Sequence, residues 1–448
     1  MSEKHALALQ PEDGVIGPQQ AAARTPAADA SLEVLSSRDQ SSSKPVARER
    51  PLSMAPTITA ERDLRLDLFR GIALWLIFLD HIPTNIVNWI TIRNYGFSDA
   101  TEIFIFISGY TAAFVYSKAM RERGFMVAGA RILRRAWQIY VAHIFLFAIF
   151  MAEIAYVQSS SVNPVYAEEV NALDFMQHPD ETIIQALLLK FKPSYMDVLP
   201  LYIVLLLIFP PILWLLQRRP TAALGISVVL YASNWHYGWN LKSYPAGEWF
   251  FNPLAWQLMF VFGAWCALGG ADRLSRVLRS RVTLGVAIAY LVFAFAIAMT
   301  WYFPRLDTWS FSHLGIHTPP LWLSDWMYPI DKTNLDVLRF AHFLALAAIT
   351  VYLVQRDAPW LKSKYLRPAI LCGQHSLEIF CLGVFLAFAA HFITVEFYPG
   401  VAMQVLVSVV GVGTMIGTAA LISWYKAMER GSGPPKRPLD ADLAGGQA

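Results

Sequence analysis

Leu66-Asp67-Leu68-Phe69-Arg70-Gly71-Ile72-Ala73-Leu74-Trp75-Leu76-Ile77-Phe78-Leu79-Asp80-His81-Ile82-Pro83 is the stretch that decides the fold class. It is apolar enough for a membrane helix, yet it carries Arg70 and His81. These lie eleven positions apart, about three turns at 3.6 residues per turn, so both project from one helix face. A rise of 1.5 Å per residue puts them roughly 16 Å apart along the axis. Ionisable side chains in a membrane helix are costly and usually serve a site. The spacing suggests one site reaching from the inner membrane surface toward the middle of the bilayer.

The rest of the chain agrees with a membrane class. It has 448 residues, 56% of them hydrophobic, and a mean hydropathy of +0.41. Only 15% is charged, against about 25% in a typical soluble domain. Apolar runs recur from Leu66 to Trp424, which predicts an all-α, polytopic integral membrane protein. Cys266, Cys372 and Cys381 all sit in apolar runs and form neither a disulfide framework nor a metal-ligand pattern, so they read as small buried residues.

About ten transmembrane helices are expected, near 66–90, 98–117, 132–156, 197–217, 221–235, 251–269, 282–303, 335–355, 370–394 and 401–425. The fifth is short for a crossing of about 20 residues. Pro210-Pro211 should kink the fourth, because neither residue donates a backbone N–H. Residues 1–58 are Ala, Pro, Ser, Gln and charges without an apolar run, and read as a disordered cytoplasmic tail. They lack the apolar region of a signal peptide. Residues 59–430 form the transmembrane domain, and 431–448 a second disordered tail.

Loop charge tests this layout. Lys118, Arg121, Arg123, Arg131, Arg134 and Arg135 follow span two; Arg218 and Arg219 follow span four; Arg273, Arg276, Arg279 and Arg281 follow span six; Arg356, Lys362, Lys364 and Arg367 follow span eight. The alternate connections, although longer, hold only Arg93, Lys190, Lys192, Lys242, Arg305 and Lys332. Sixteen against six fits the positive-inside rule with both termini cytoplasmic.

The outer segments 157–196, 236–250 and 304–334 are rich in aromatics. Trp235, His236, Tyr237, Trp239, Tyr244 and Trp249 gather in one area, and Trp301, Tyr302, Trp309, Trp322, Trp326 and Tyr328 in another. An interfacial belt accounts for most of them, and a platform for sugar rings is the sharper alternative. No internal repeat of the transporter kind is evident.

Several polar constellations stand out. His81 follows Asp80, and an imidazole there can accept a proton from a hydroxyl; a histidine bonded to a neighbouring span is the alternative. Arg65 and Arg70 lie at the cytoplasmic entry, where charge can also set topology and snorkel. Arg70 is the deeper of the two. Asp99 and Glu102 open span two at capping-box spacing, and equally suit acceptor binding. Ser108 and Gly109 allow close helix packing. Span eight enters through Asp331-Lys332-Thr333-Asn334-Leu335-Asp336, with Lys332, Asp336, Arg339 and His342 on one face. An Asp336–Arg339 ladder is the plain reading, one that would border a polar cavity. His375 and Glu378 share a face at the start of span nine, beside Ser376; a solvated helix start competes with a binding role. Asp197, Asn252 and Gln257 add polar groups at outer ends.

No Walker loop, dinucleotide fingerprint, Gly-x-Ser-x-Gly elbow or zinc motif is evident. No metal and no nucleic-acid partner is expected. Transport and group transfer across the bilayer remain.

The segments Arg62–Gly71, Asp80-His81-Ile82-Pro83, Gly96-Phe97-Ser98-Asp99, Ser108-Gly109-Tyr110, Met196-Asp197-Val198-Leu199-Pro200-Leu201-Tyr202, Asn252–Gln257, Asp331–Asp336 and Cys372-Gly373-Gln374-His375-Ser376-Leu377-Glu378 resemble the OpgC family, in order over about 60–430. That family looks related to the acyltransferase-3 transmembrane acyltransferases, whose Arg-x10-His pattern falls here on Arg70 and His81. The resemblance implies an enzyme of the bacterial inner (cytoplasmic) membrane. It would move an acyl group, succinyl in this family, from cytoplasmic acyl-coenzyme A to hydroxyls of osmoregulated periplasmic glucans.

On that reading His81 is the general base, Asp80 or another carboxylate orients it, and Arg70 stabilises the donor or the oxyanion. Asp99, Glu102, Asp197, Asn252, Gln257, Lys332, Asn334, Asp336, Arg339 and His342 would face the acceptor. Arg65, Arg131, Arg134, Arg135, His375, Ser376 and Glu378 would serve the coenzyme A thioester, the arginines through its phosphates. Topology alone is the favoured explanation for any single basic loop residue. Direct transfer and an acyl-histidine intermediate stay open. The other class of function is a secondary transporter of a sugar or organic acid, whose buried charges would form a substrate or proton path.

Overall fold

The computed structural model describes residues 63–160, 168, 170–302, 327–397 and 400–431. The expected tails lie outside these residues apart from Gly431, which ends the last helix, and so do Arg305, Trp309, Trp322 and Trp326. The described residues form helices and no strand. They comprise α1 (Leu64–Asp80), α2 (Ala100–Ser160), α3 (Leu173–Gln177), α4 (Pro179–Leu187), α5 (Val198–Arg218), α6 (Pro220–Tyr237), α7 (Pro253–Trp265), α8 (Ala271–Leu278), α9 (Arg281–Tyr302), α10 (Val337–Leu353), α11 (Arg367–Gln374), α12 (Ser376–Glu396) and α13 (Val401–Gly431).

Among these residues six helical stretches are long and apolar enough to cross a membrane: Ala100–Val157, Val198–Arg218, Pro253–Leu278, Arg281–Thr300, Ser376–Glu396 and Val401–Glu429. Val337–Leu353 is a shorter apolar helix. These lengths mark a membrane protein.

Several expected boundaries move. The first span ends at Asp80 rather than near residue 90, and two 3-10 turns follow, Ile86–Ile90 and Ile92–Tyr95. Pro83 explains the stop, since proline disfavours helical backbone in the residue before it. Expected spans two and three are the two arms of α2, which turns at Gly124 with φ 80°. A glycine takes that left-handed conformation without a Cβ penalty. The basic stretch Lys118–Arg135 therefore lies on the ends of two helical arms that meet at the Gly124 turn, with no long loop between them. Expected span nine is broken, because His375 leaves helical geometry between α11 and α12. Helix α5 carries Pro210 and Pro211 inside it.

Helix α1 is seated by an unusually close crossing. A Cβ on Gly71 would lie 1.8 Å from the Ala369 carbonyl oxygen, and one on Gly373 would lie 1.9 Å from that of Asp67. Only backbone can pass there, so this pair fixes the depth of α1 against α11. The other face of α1 meets α2 and α12. Helix α2 in turn packs on α5 and α7, around a core that includes Phe78, Phe104, Phe209, Trp256, Phe260 and Phe380.

Candidate functional site

One cavity of about 160 Å³ opens beside Arg70. Its walls come from α1 (Arg70), both arms of α2 (Phe104, Ser108, Thr111, Ala112, Val115, Tyr116, Arg135), α5 (Leu199, Tyr202) and α12 (Ser376, Leu377, Phe380). Arg70 is aimed by α2: one guanidinium nitrogen donates to the Ile107 carbonyl at 3.0 Å and to Thr111 Oγ1 at 2.7 Å. Arg70, Ser108, Arg135 and Ser376, read from separate parts of the sequence, thus meet at one space. Thr111, Tyr116 and Tyr202 complete it and carried no signal in the sequence beyond being polar or aromatic in apolar runs.

Other residues assigned to the donor are placed elsewhere. Arg65 binds Asp63 at 2.8 Å and the Val354 carbonyl at 3.0 Å, which ties down the start of α1. Arg131 and Arg134 are exposed on α2. His375 Nε2 pairs with Ser423 Oγ at 2.8 Å, while Lys426 lies 3.3 Å from His375 Nδ1 and 3.9 Å from Glu378. His375 and Glu378 therefore face α13 while Ser376 faces the cavity.

His81 caps the far end of α1. Its Nδ1 is buried and has no hydrogen-bond partner among the described residues. No hydrogen bond joins Asp80 to His81 among the described residues, and one oxygen of the Asp80 carboxylate accepts from Thr91 Oγ1 at 2.7 Å. The group against the imidazole is the ring of Tyr195, 4.6 Å between centroids and tilted by 42°. His81 also sits in the field of Lys332, Asp99 and Arg93.

Lys332 and Asp99 belong to a largely buried cluster, whereas Arg93 is exposed. Asp99 binds Lys332 at 2.6 Å and Arg339 at 3.2 Å, and Arg339 binds Glu102 at 2.7 Å. The same two carboxylates cap α2: Asp99 accepts from the Thr101 N–H at 2.8 Å, and Glu102 from the Asp99 N–H at 2.9 Å. The expected capping box and a wider polar cluster are both present. The expected Asp336–Arg339 ladder is not. Asp336 is the N-cap of α10 and accepts from the Leu338 N–H at 2.8 Å, which leaves Arg339 to α2. Lys332 precedes the helix in a turn, so it is not on a helical face with Arg339. His342 Nδ1 lies 2.7 Å from Ser98 Oγ.

A polar network fixes the turn that carries Lys332. The fully buried Asn252 amide donates to Asn334 Oδ1 at 2.8 Å, to Asn234 Oδ1 at 3.0 Å and to the Trp239 carbonyl at 2.6 Å. Asn334 in turn donates to Asp331 at 2.7 Å. Trp256 Nε1 reaches the Lys332 carbonyl at 3.1 Å, and Trp235 Nε1 the Asn334 carbonyl at 3.2 Å. Gln257 is bound to Ser227 at 2.6 Å. Asn252, Gln257 and Asn334 thus spend their bonds on the protein itself.

Asp197 stands at the start of α5, and burial pushes its carboxyl up to about 6 against the attraction of Lys192. Lys192 lies 4.0 Å from the centroid of the Trp249 ring, and burial brings its ammonium down to about 8. Tyr237 and Trp239 stack at 4.9 Å and are exposed, whereas Trp249 is buried under Lys192. Among the described residues, no group of three or more His, Cys, Asp or Glu could hold a metal ion.

The family model described as OpgC protein matches residues 62–427. The match contains α1 through most of α13 and with them every residue of the Arg70 cavity and the His81 cluster. No curated protein and no solved structure matches the chain.

Proposed function

The chain belongs to the OpgC family, and from that premise we propose that it is a membrane O-acyltransferase of the bacterial inner membrane, moving a succinyl group from cytoplasmic succinyl-coenzyme A to hydroxyls of periplasmic glucans. The observation that carries this reading is the division of α1. Arg70 opens into a largely apolar cavity that also holds Arg135 and Ser376, and His81, at the end of the same helix, keeps a buried Nδ1 without a partner among the described residues. One helix then carries a donor site along its length and a base at its end.

In the proposed step the acceptor hydroxyl gives its proton to the His81 imidazole as its oxygen attacks the thioester carbonyl. The tetrahedral intermediate collapses, the C–S bond breaks, and the departing thiolate takes the proton back from the imidazolium. No acyl-enzyme is needed. Arg70 lies roughly 16 Å along α1 from His81, so it is assigned to holding the donor rather than to the oxyanion. The extended pantetheine arm of the donor would cover that distance. Asp99, Lys332, Glu102 and Arg339 fix the polar wall at the His81 end, with ten spans and both termini on the cytoplasmic side.

The test is mass analysis of periplasmic glucans from cells making the parent, His81→Ala or neither. Substitution should be present with the parent and absent with well-expressed His81→Ala. Near-normal substitution in that variant would remove His81 from the base role. Uptake of a sugar or organic acid with no consumption of acyl-coenzyme A would replace the enzyme by a transporter.

A further inference from the structure

We infer that Tyr195 is the positioning residue for His81, its ring holding the imidazole in line for the acceptor hydroxyl. The inference rests on the reading of His81 as the base and adds what aims it. A catalytic imidazole usually has its second nitrogen held by a carboxylate or carbonyl. Here Asp80 is engaged by Thr91, and His81 Nδ1 has no partner among the described residues. The tilted ring of Tyr195, 4.6 Å away, is the ring contact of the imidazole, and on this inference it restricts the imidazole's rotation.

The backbone at Tyr195 supports this. Its φ is +73°, in the left-handed region that side chains other than glycine rarely occupy. Glycine would take that conformation without strain, so the backbone alone does not account for a tyrosine. The neighbours hold the turn in place. The Ser194 N–H donates to the Val170 carbonyl at 2.9 Å and the Met196 N–H to the Pro193 carbonyl at 3.2 Å. Phe191 and Met196 are buried on either side, and Lys192 is clamped over Trp249. Non-glycine residues in such conformations persist where the surroundings over-determine them, and they cluster at functional sites. Four residues on, Leu199 lines the Arg70 cavity, so this short segment runs from the imidazole to the donor wall.

The experiment uses the full chain in membranes, with labelled succinyl-coenzyme A and a glucan acceptor, and compares the parent with His81→Ala, Tyr195→Phe, Tyr195→Leu and Tyr195→Gly. Phenylalanine keeps the ring and should stay close to the parent. Leucine fills similar space without a ring face, and its kcat should fall by about 100-fold, the scale of a misplaced reacting group, with KM for the donor unchanged. Tyr195→Gly relieves the backbone and should fold well yet lose kcat as leucine does. Leucine or glycine matching phenylalanine would overturn the inference, as would a loss confined to KM. Phenylalanine falling with leucine would assign the role to the hydroxyl and also overturn it. An active His81→Ala, or an inert parent, would instead sink the functional reading on which it rests.

Discussion

Arg339 on α10 donates to Glu102 on α2 across 237 residues of sequence, with nitrogen–oxygen distances of 2.7 and 2.9 Å. Glu102 is 0% exposed, and Arg339 also reaches Asp99, which Lys332 holds from the other side. Two cations and two carboxylates therefore balance, with Asp99, Glu102 and Arg339 buried and Lys332 partly exposed. Removing one member leaves an uncompensated buried charge, which costs about 3–5 kcal/mol. Arg339→Leu should lower the thermal midpoint and the yield of folded protein sharply. The double variant Arg339→Leu with Glu102→Leu should recover much of the loss, because it removes the charge that the single change strands. A double variant no better than Arg339→Leu would mean that the pair is not coupled.

The part of this cluster that could be read from the sequence was the local part. Asp99 and Glu102 are three apart and form the cap that such spacing implies. Arg70 and His81 share one helix, so their alignment also follows from periodicity. What escaped depends on long-range contact. Asp336 and Arg339 look like a ladder in isolation, but capping α10 and reaching α2 satisfy both groups better. The contact of Asp80 with Thr91 is likewise non-local: Thr91 closes the 3-10 turn Ile86–Ile90 and donates to one oxygen of the carboxylate. Tyr195 gives no sequence signal, because neither its positive φ nor its distant partner leaves a periodic trace. Nor could the pattern reveal that both arms of α2 run helically up to a turn at Gly124, as polar residues between two apolar runs suit a loop or a helix equally.

The C-terminus should be cytoplasmic. The motive is the sixteen-to-six excess of Lys and Arg on alternate connections. A phosphatase that folds only in the periplasm, fused after the last residue, should give no activity. Strong activity would require an odd number of crossings between the two ends or an inverted orientation.

Lys192 should make stability depend on alkaline pH. Burial brings its ammonium from the ordinary 10.5 down to about 8, against the pull of Asp197. Between these values the unfolded chain holds a proton that the folded chain has released, so stability rises with pH across that window and is lower below it. The gain is at most about 3 kcal/mol, and the Trp249 face, which favours the charge, reduces it. The thermal midpoint of detergent-purified parent should rise between pH 8 and pH 10 relative to that of Lys192→Met. Parallel behaviour of the two proteins would assign the effect to other groups.

Arg70→Lys should impair transfer nearly as much as Arg70→Ala. If Arg70 only sets topology, lysine keeps the charge and little changes. The structure gives the side chain a more demanding place. One nitrogen bridges the Ile107 carbonyl and Thr111 Oγ1, and the group also lines the cavity shared with Arg135 and Ser376. A planar guanidinium can brace α2 with one nitrogen while offering others to a donor, whereas a single ammonium cannot do both in that geometry. Loss of a charged hydrogen bond is worth about 1.5–3 kcal/mol, or roughly 10- to 100-fold. The kinetic parameter that moves separates the two roles open to Arg70. Holding the donor equally before and during reaction places the loss in KM for the acyl-coenzyme A, while oxyanion stabilisation places it in kcat. The distance along α1 from His81 favours the first. The measurement is steady-state transfer from labelled acyl-coenzyme A by purified parent, Arg70→Lys and Arg70→Ala at matched expression. Full activity in the lysine variant would show that charge alone suffices at this position, and a loss confined to kcat would return Arg70 to the reacting carbonyl.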